Sequence, residues 1–105
     1  MANTKELQKT LMSLLEKIGE HTVEPKKESI HVVHGRAFVG IHPKKSYIGV
    51  NIVLDKRKVL PKADKVEQVS LNRFHHFFKI ESERQMDLAF IRLLREAYGL
   101  TEGTK

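Results

Sequence analysis

The chain contains no cysteine, only three prolines, and no apolar run long enough to cross a bilayer. Each absence excludes something. Without cysteine there is no disulfide framework, no thiolate metal site and no cysteine nucleophile, and the composition fits a reducing cytosol. A spanning helix needs about 20 consecutive apolar residues. The amino-terminal stretch MANTKELQKTLMSLLEKIGEH is interrupted by Glu6, Lys9, Glu16 and Lys17, so it does not read as a signal peptide. We expect a cytoplasmic protein with no membrane partner. Also missing are a phosphate-cradling glycine loop, a Gly-x-Ser-x-Gly elbow and a His-Glu-x-x-His pair. Catalysis is therefore the less expected class.

What remains is the composition of one soluble domain spanning residues 1–105, 40% hydrophobic and 30% charged. Leu7, Leu11, Leu14, Leu15 and Ile18 recur at spacings of three and four, which predicts a helix from Thr4 to Ile18. Asn3 or Thr4 can cap its start, and Gly19 can take a left-handed conformation to end it. The stretch from Val23 to Ser29 then reads as a connector, because Pro25 forbids helix continuation. From Ile30 the period changes to two. Strands are expected over SIHVVHG and RAFVGIH, meeting near Gly35, and over SYIGVNIVL, KVEQVS and NRFHHFFKI. In the third of these Ile48, Val50, Ile52 and Leu54 share one face, and Tyr47, Gly49, Asn51 and Val53 the other. A connector broken by Pro61 precedes the last two. Ser82 and Gln85 fit a capping box. A second helix follows to about Tyr98, with Met86, Phe90, Leu93, Leu94 and Ala97 as its stripe and Leu100 to Lys105 as a frayed tail. Helix, short strands, helix is an α+β pattern. An antiparallel sheet of about five strands is expected, with both helices on one face.

Four stretches carry a resemblance: EPKK-x-S before the first strand, HPKKSYIGVNIVL, HHFFKIES, and LLREAYG closing the last helix. From about Val23 to Gly99 the chain resembles a small domain of unknown function often labelled "predicted transport protein". That domain also occurs fused to other modules, some of them nuclease-like. The resemblance implies an α+β module and no established activity.

The six histidines are His21, His31, His34, His42, His75 and His76. A metal on a sheet needs ligands at i and i+2, on one face. His31 and His34 are three apart and His75 and His76 adjacent, so each pair splits across the faces. No metal or other cofactor is expected. The nuclease-like fusions make Glu24-Pro25-Lys26 worth testing as a Glu-x-Lys pair. The acids upstream of it, Glu6, Glu16 and Glu20, fall on the solvent face or at the end of the first helix, so the second metal-holding carboxylate is missing from any strand that could position it.

Charge is the informative feature. Residues 21–79 carry twelve basic and five acidic side chains, whereas the segments before and after are nearly neutral. The excess therefore lies on the sheet and its loops. Lys26, Lys27, Lys44, Lys45, Lys56, Arg57, Lys58, Lys62 and Lys65 all fall in connectors, and Tyr47 and Phe77 are placed to reach the open face, where aromatics stack on bases. Lysine on sheet rims also opposes edge pairing and maintains solubility. The expected function is a non-catalytic binding module for an anionic partner, nucleic acid first. Its candidate partner-binding residues are His42, Lys44, Lys45, Tyr47, Lys56, Arg57, Lys58, Arg73 and His75. A protein-interaction or self-association domain using an exposed strand edge is the alternative. The third reading is an enzyme on a small anionic substrate using His42, Lys44, Arg73 and His75 or His76.

Overall fold

The computed structural model describes residues 4–58 and 63–102, so Asn3, Pro61 and Lys62 lie outside the described residues. Helix α1 spans Thr4–Ile18 and buries Leu7, Leu11 and Leu15. The strands are β1 (Thr22–Pro25), β2 (Ile30–His34), β3 (Arg36–Pro43), β4 (Ile48–Leu54), β5 (Lys65–Ser70) and β6 (Arg73–Ile80). A single 3-10 turn at Glu83–Gln85 leads to α2, Leu88–Glu102. The sheet is antiparallel throughout, in the order β1-β2-β3-β4-β6-β5.

The sheet has six strands rather than about five because Thr22–Pro25, expected as a connector, pairs with β2. Proline lacks a ladder donor but is tolerated at an edge, which is where Pro25 sits. Lys26 N–H donates to the Ser29 carbonyl, closing a tight turn between the two strands. Between β2 and β3 the chain reverses at Gly35, whose φ of 81° is the left-handed region open to glycine.

Gly19 does not take that conformation. Its N–H donates to the Leu15 carbonyl and continues the helical pattern, and Gly35 is the only described residue with positive φ. Glycine at 19 is required by close approach, since a Cβ there would lie 2.5 Å from the Tyr98 ring. The second capping expectation also shifts. Gln85 Oε1 accepts from the Ser82 N–H, but this stabilises the 3-10 turn; α2 is capped by Asp87, whose carboxylate accepts from the Phe90 N–H at 3.0 Å. Helix α2 then continues through the stretch expected to fray, as far as Glu102. Thr101 is buried and its hydroxyl donates to the Tyr98 carbonyl, so it accepts from His34 Nδ1–H at 2.9 Å. His34 also stacks on Tyr98, tying the end of α2 to β2.

Both helices cover one face of the sheet. Leu7, Leu11 and Leu15 of α1 and Phe90, Leu93, Leu94 and Ala97 of α2 form one core with Val39, Ile41, Ile48, Val50, Ile52, Phe78 and Ile80. The registers Ile41↔Val50↔Phe78 and Ile48↔Ile80 show why: these residues align across three strands on the same side. Phe90 meets Phe78 edge to face, with centroids 5.5 Å apart. Among the described residues no helix is long and apolar enough to cross a membrane.

Candidate functional site

The same registers define the open face. Opposite the core row Ile41, Val50 and Phe78 lie the alternate residues: His31 beside Gly40, Gly40 beside Asn51, Asn51 beside Phe77, and Phe77 beside Lys65. One step along, His42, Gly49 and Lys79 form the next cross-strand row. Because β6 lies between β4 and β5, Phe77 and Lys79 of β6 stand next to Asn51 and Gly49 of β4, and Lys65 of β5 joins them from the edge.

These rows converge on a cleft of about 290 Å³ lined by His42, Lys44, Tyr47, Gly49, Asp64, Lys65, Phe77, Phe78 and Lys79. The turn that carries Lys44 is a tight hairpin, closed by Lys44 N–H donating to the Tyr47 carbonyl at 2.9 Å. Asp64 is held by its own N–H, which donates to the Phe77 carbonyl. Two ammonium groups lie over the aromatic rings: Lys65 Nζ is 4.9 Å from the Phe77 centroid and Lys79 Nζ 4.8 Å from that of Tyr47. Such cation–π contacts hold the lysine heads over the rings rather than out in solvent.

His42 and His75 on this face add donors and acceptors rather than charge. Burial, then Lys44 and His31 nearby, lower His42 below the ordinary imidazole value. Burial and Arg73 do the same to His75, against an opposing pull from Glu67. His75 Nδ1 accepts from the Asn51 amide at 3.0 Å, which places its proton on Nε2. Near pH 7 neither His42 nor His75 adds to the positive charge that the lysines and arginines of the face carry.

The nine expected partner-binding residues fall into separate groups. His42, Lys44 and Tyr47 line the cleft, and Lys45 is exposed at the tip of the adjoining turn. Lys56, Arg57 and Lys58 follow the far end of β4, which at about 3.3 Å per residue is roughly 20 Å from the cleft. Arg57 lies 5.9 Å from the Phe74 ring, and Lys58 turns toward the helices, where its ammonium meets the Glu96 carboxylate of α2 at 2.6 Å. Arg73 opens β6 at that same far end, half-buried with its Nε unpaired, and His75, opposite Val53, lies two residues nearer the cleft. His76 is on the helix side. It is fully buried, accepts from the Lys58 N–H at 3.0 Å, and is also held below the usual value, burial being the main cause. The residues named for the enzyme reading are thus divided between two faces and two ends.

Lys26 and Lys27 occupy the β1–β2 turn, where Lys26 pairs with Glu24 at 3.7 Å across an exposed surface. The Glu-x-Lys letters at this point form a local ion pair. Among the described residues no group of three or more histidine, aspartate or glutamate side chains is placed to hold a metal ion. Sequence reasoning missed Lys79 and Asp64. Lys79 shares the period-two face of Phe77, and that alternation was the available signal; Asp64 lies in a connector and carries none.

The chain belongs to a family described as a domain of unknown function (DUF5655), whose pattern matches residues 1–101. No curated protein and no solved structure matched the chain.

Proposed function

We propose that the protein is a non-catalytic binding module that holds nucleic acid on the open face of its sheet. The observation that carries this reading is the cleft itself. Lys44, Lys65 and Lys79 surround Tyr47 and Phe77 in a concavity on the face without helices. Cations bind phosphate and aromatic rings bind bases; a solvated lysine rim has no need of both in one hollow. The nuclease-like fusions implied by the sequence resemblance fit the same reading, since a module that holds a strand would supply an attached nuclease with substrate. A reducing cytosol, which the cysteine-free chain fits, is the compartment we assign.

The test is a salt titration. If Lys44, Lys45, Lys65 and Lys79 each meet a phosphate, the log–log slope is about −3.6 for duplex DNA and about −2.8 for a single strand. Affinity then falls about a hundredfold between 50 and 200 mM salt on duplex, from a Kd no tighter than about 10⁻⁶ M at physiological salt. Replacing Lys44 and Lys45 together should flatten the slope by about two. Absence of binding to both forms at low salt would end the nucleic-acid reading.

A second reading is favoured by one specific observation. The edge strand β5 exposes Val69 by 53%, and the turn after it exposes Leu71 by 83%. An uncovered strand edge beside apolar side chains suits pairing with another chain. Self-association through β5 would give a mass that rises with concentration and falls in a Leu71→Lys variant; a constant monomer mass would remove it.

A further inference from the structure

Gly49 is unexplained by packing. Its backbone has no positive φ, and a Cβ built there would meet only the His42 Cβ at 3.6 Å and the His42 carbonyl at 3.7 Å, ordinary contact distances. Glycine weakens a strand interior, and no neighbour here demands it. Its effect is to leave a floor without a side chain in the lining of the cleft, two residues along the chain from Tyr47, directly across from Lys79 and one cross-strand pair away from Phe77.

We infer that this floor accepts one unpaired nucleobase, so that the module binds single-stranded nucleic acid. The inference rests on the nucleic-acid reading above and narrows it. Phosphate contacts alone need neither an open floor nor aromatic walls, whereas a base needs both a flat apolar surface and π-faces. In a duplex the bases are already stacked and paired, so only the backbone would reach this surface. An aromatic side chain on an uncovered antiparallel sheet is one of the general ways proteins stack unpaired bases. Asp64 argues in the same direction. A carboxylate in a cleft repels a phosphate, but it accepts from the N–H groups on a base edge. His42, neutral near pH 7, adds a further hydrogen-bonding group at the opposite wall. The lysines over the rings then swing aside to the phosphates flanking the inserted base.

The experiment compares three probes by fluorescence anisotropy at low salt. They are a short labelled DNA strand of mixed sequence, the same strand annealed to its complement, and an abasic sugar–phosphate oligomer of equal length. The intact protein should prefer the single strand to both others. Phe77→Ala should lower single-strand affinity by about fivefold to a hundredfold, the range for one stacked base. Gly49→Val should also lower single-strand affinity, because it fills the floor without removing a charge, and a thermal melt of each variant checks that it is folded. Equal affinity for all three probes, unchanged in both variants, would overturn the inference and leave the charge-based reading standing. No binding to any of the three would overturn both.

Discussion

Strands β4 and β6 present opposite chemistries on their two faces. Toward the helices they offer Ile48, Val50, Ile52, Phe78 and Ile80, all buried; toward the open side they offer Gly49, Asn51, Phe77 and Lys79. The helix side is chosen by volume. Interiors pack to crystal-like density, so each aliphatic or aromatic group there has a defined partner. The open side is not under that constraint, and it is there that glycine, polar and cationic residues collect around two rings. The contrast locates fold stability on one face and the candidate interface on the other.

The comparison breaks most visibly at Phe90. Its ring is buried against Phe78 on the helix side, and Phe90→Ala should cost about 3–5 kcal/mol in a denaturant titration. A loss below about 1 kcal/mol, the ordinary scale of a surface change, would mean that the core is not where the structure puts it.

Two glycines sharpen the contrast next. Gly19→Ala drives a methyl group into the Tyr98 ring and should destabilise by about 1–3 kcal/mol, as overpacking does. Gly49→Ala meets only ordinary contacts on the open face, so it should be neutral or stabilise by up to about 1 kcal/mol, since alanine suits a strand interior better. Thermal melts of the two variants side by side decide it; equal losses would contradict the difference between the faces.

Acid should act on both faces together. His42 and His75 on the open side and His76 in the core all have folded values below the unfolded one of about 6.5. Below that value the unfolded chain binds more protons than the folded one, so stability falls as pH drops through the window down to the folded values. Above about pH 7 these groups are neutral in both states and contribute no slope. Urea midpoints measured from pH 5 to 8 should therefore decline only on the acid side. Protonating His76 also removes the acceptor for the Lys58 N–H, so His76→Asn should flatten part of that decline.

The smallest effect is expected from the helices. Arg92 and Arg95 are exposed on α2, away from the cleft. Replacing both with alanine should leave the salt slope for nucleic acid unchanged, whereas Lys44 and Lys79 replaced together should flatten it by about two. A similar change from the α2 pair would show that net charge alone governs binding.

How far these features were legible in the sequence depended on their range. The helix over Thr4–Ile18, the reversal at Gly35 and the buried row of β4 follow from residues a few positions apart, because helical and strand periods act locally. Phe90 in the core and Phe77 on the open face were readable for the same reason. The β1 strand was not, because a four-residue edge containing proline acquires strand character only from pairing with β2. The cluster of basic connectors was legible as a count but not as a surface. Lys58 faces α2, and Lys56 and Arg57 lie a strand length from Lys44. Nor does a local pattern place Lys79 against Tyr47, or Lys65 over Phe77, since both contacts depend on β6 entering between β4 and β5. Composition and period thus determined by themselves the class of the fold, its core-facing rows and the sign of its charge. The tertiary structure alone decided which cations share a cleft with which rings. Coulomb and stacking forces act over a few ångströms in space, and strand order, not spacing along the chain, sets those distances.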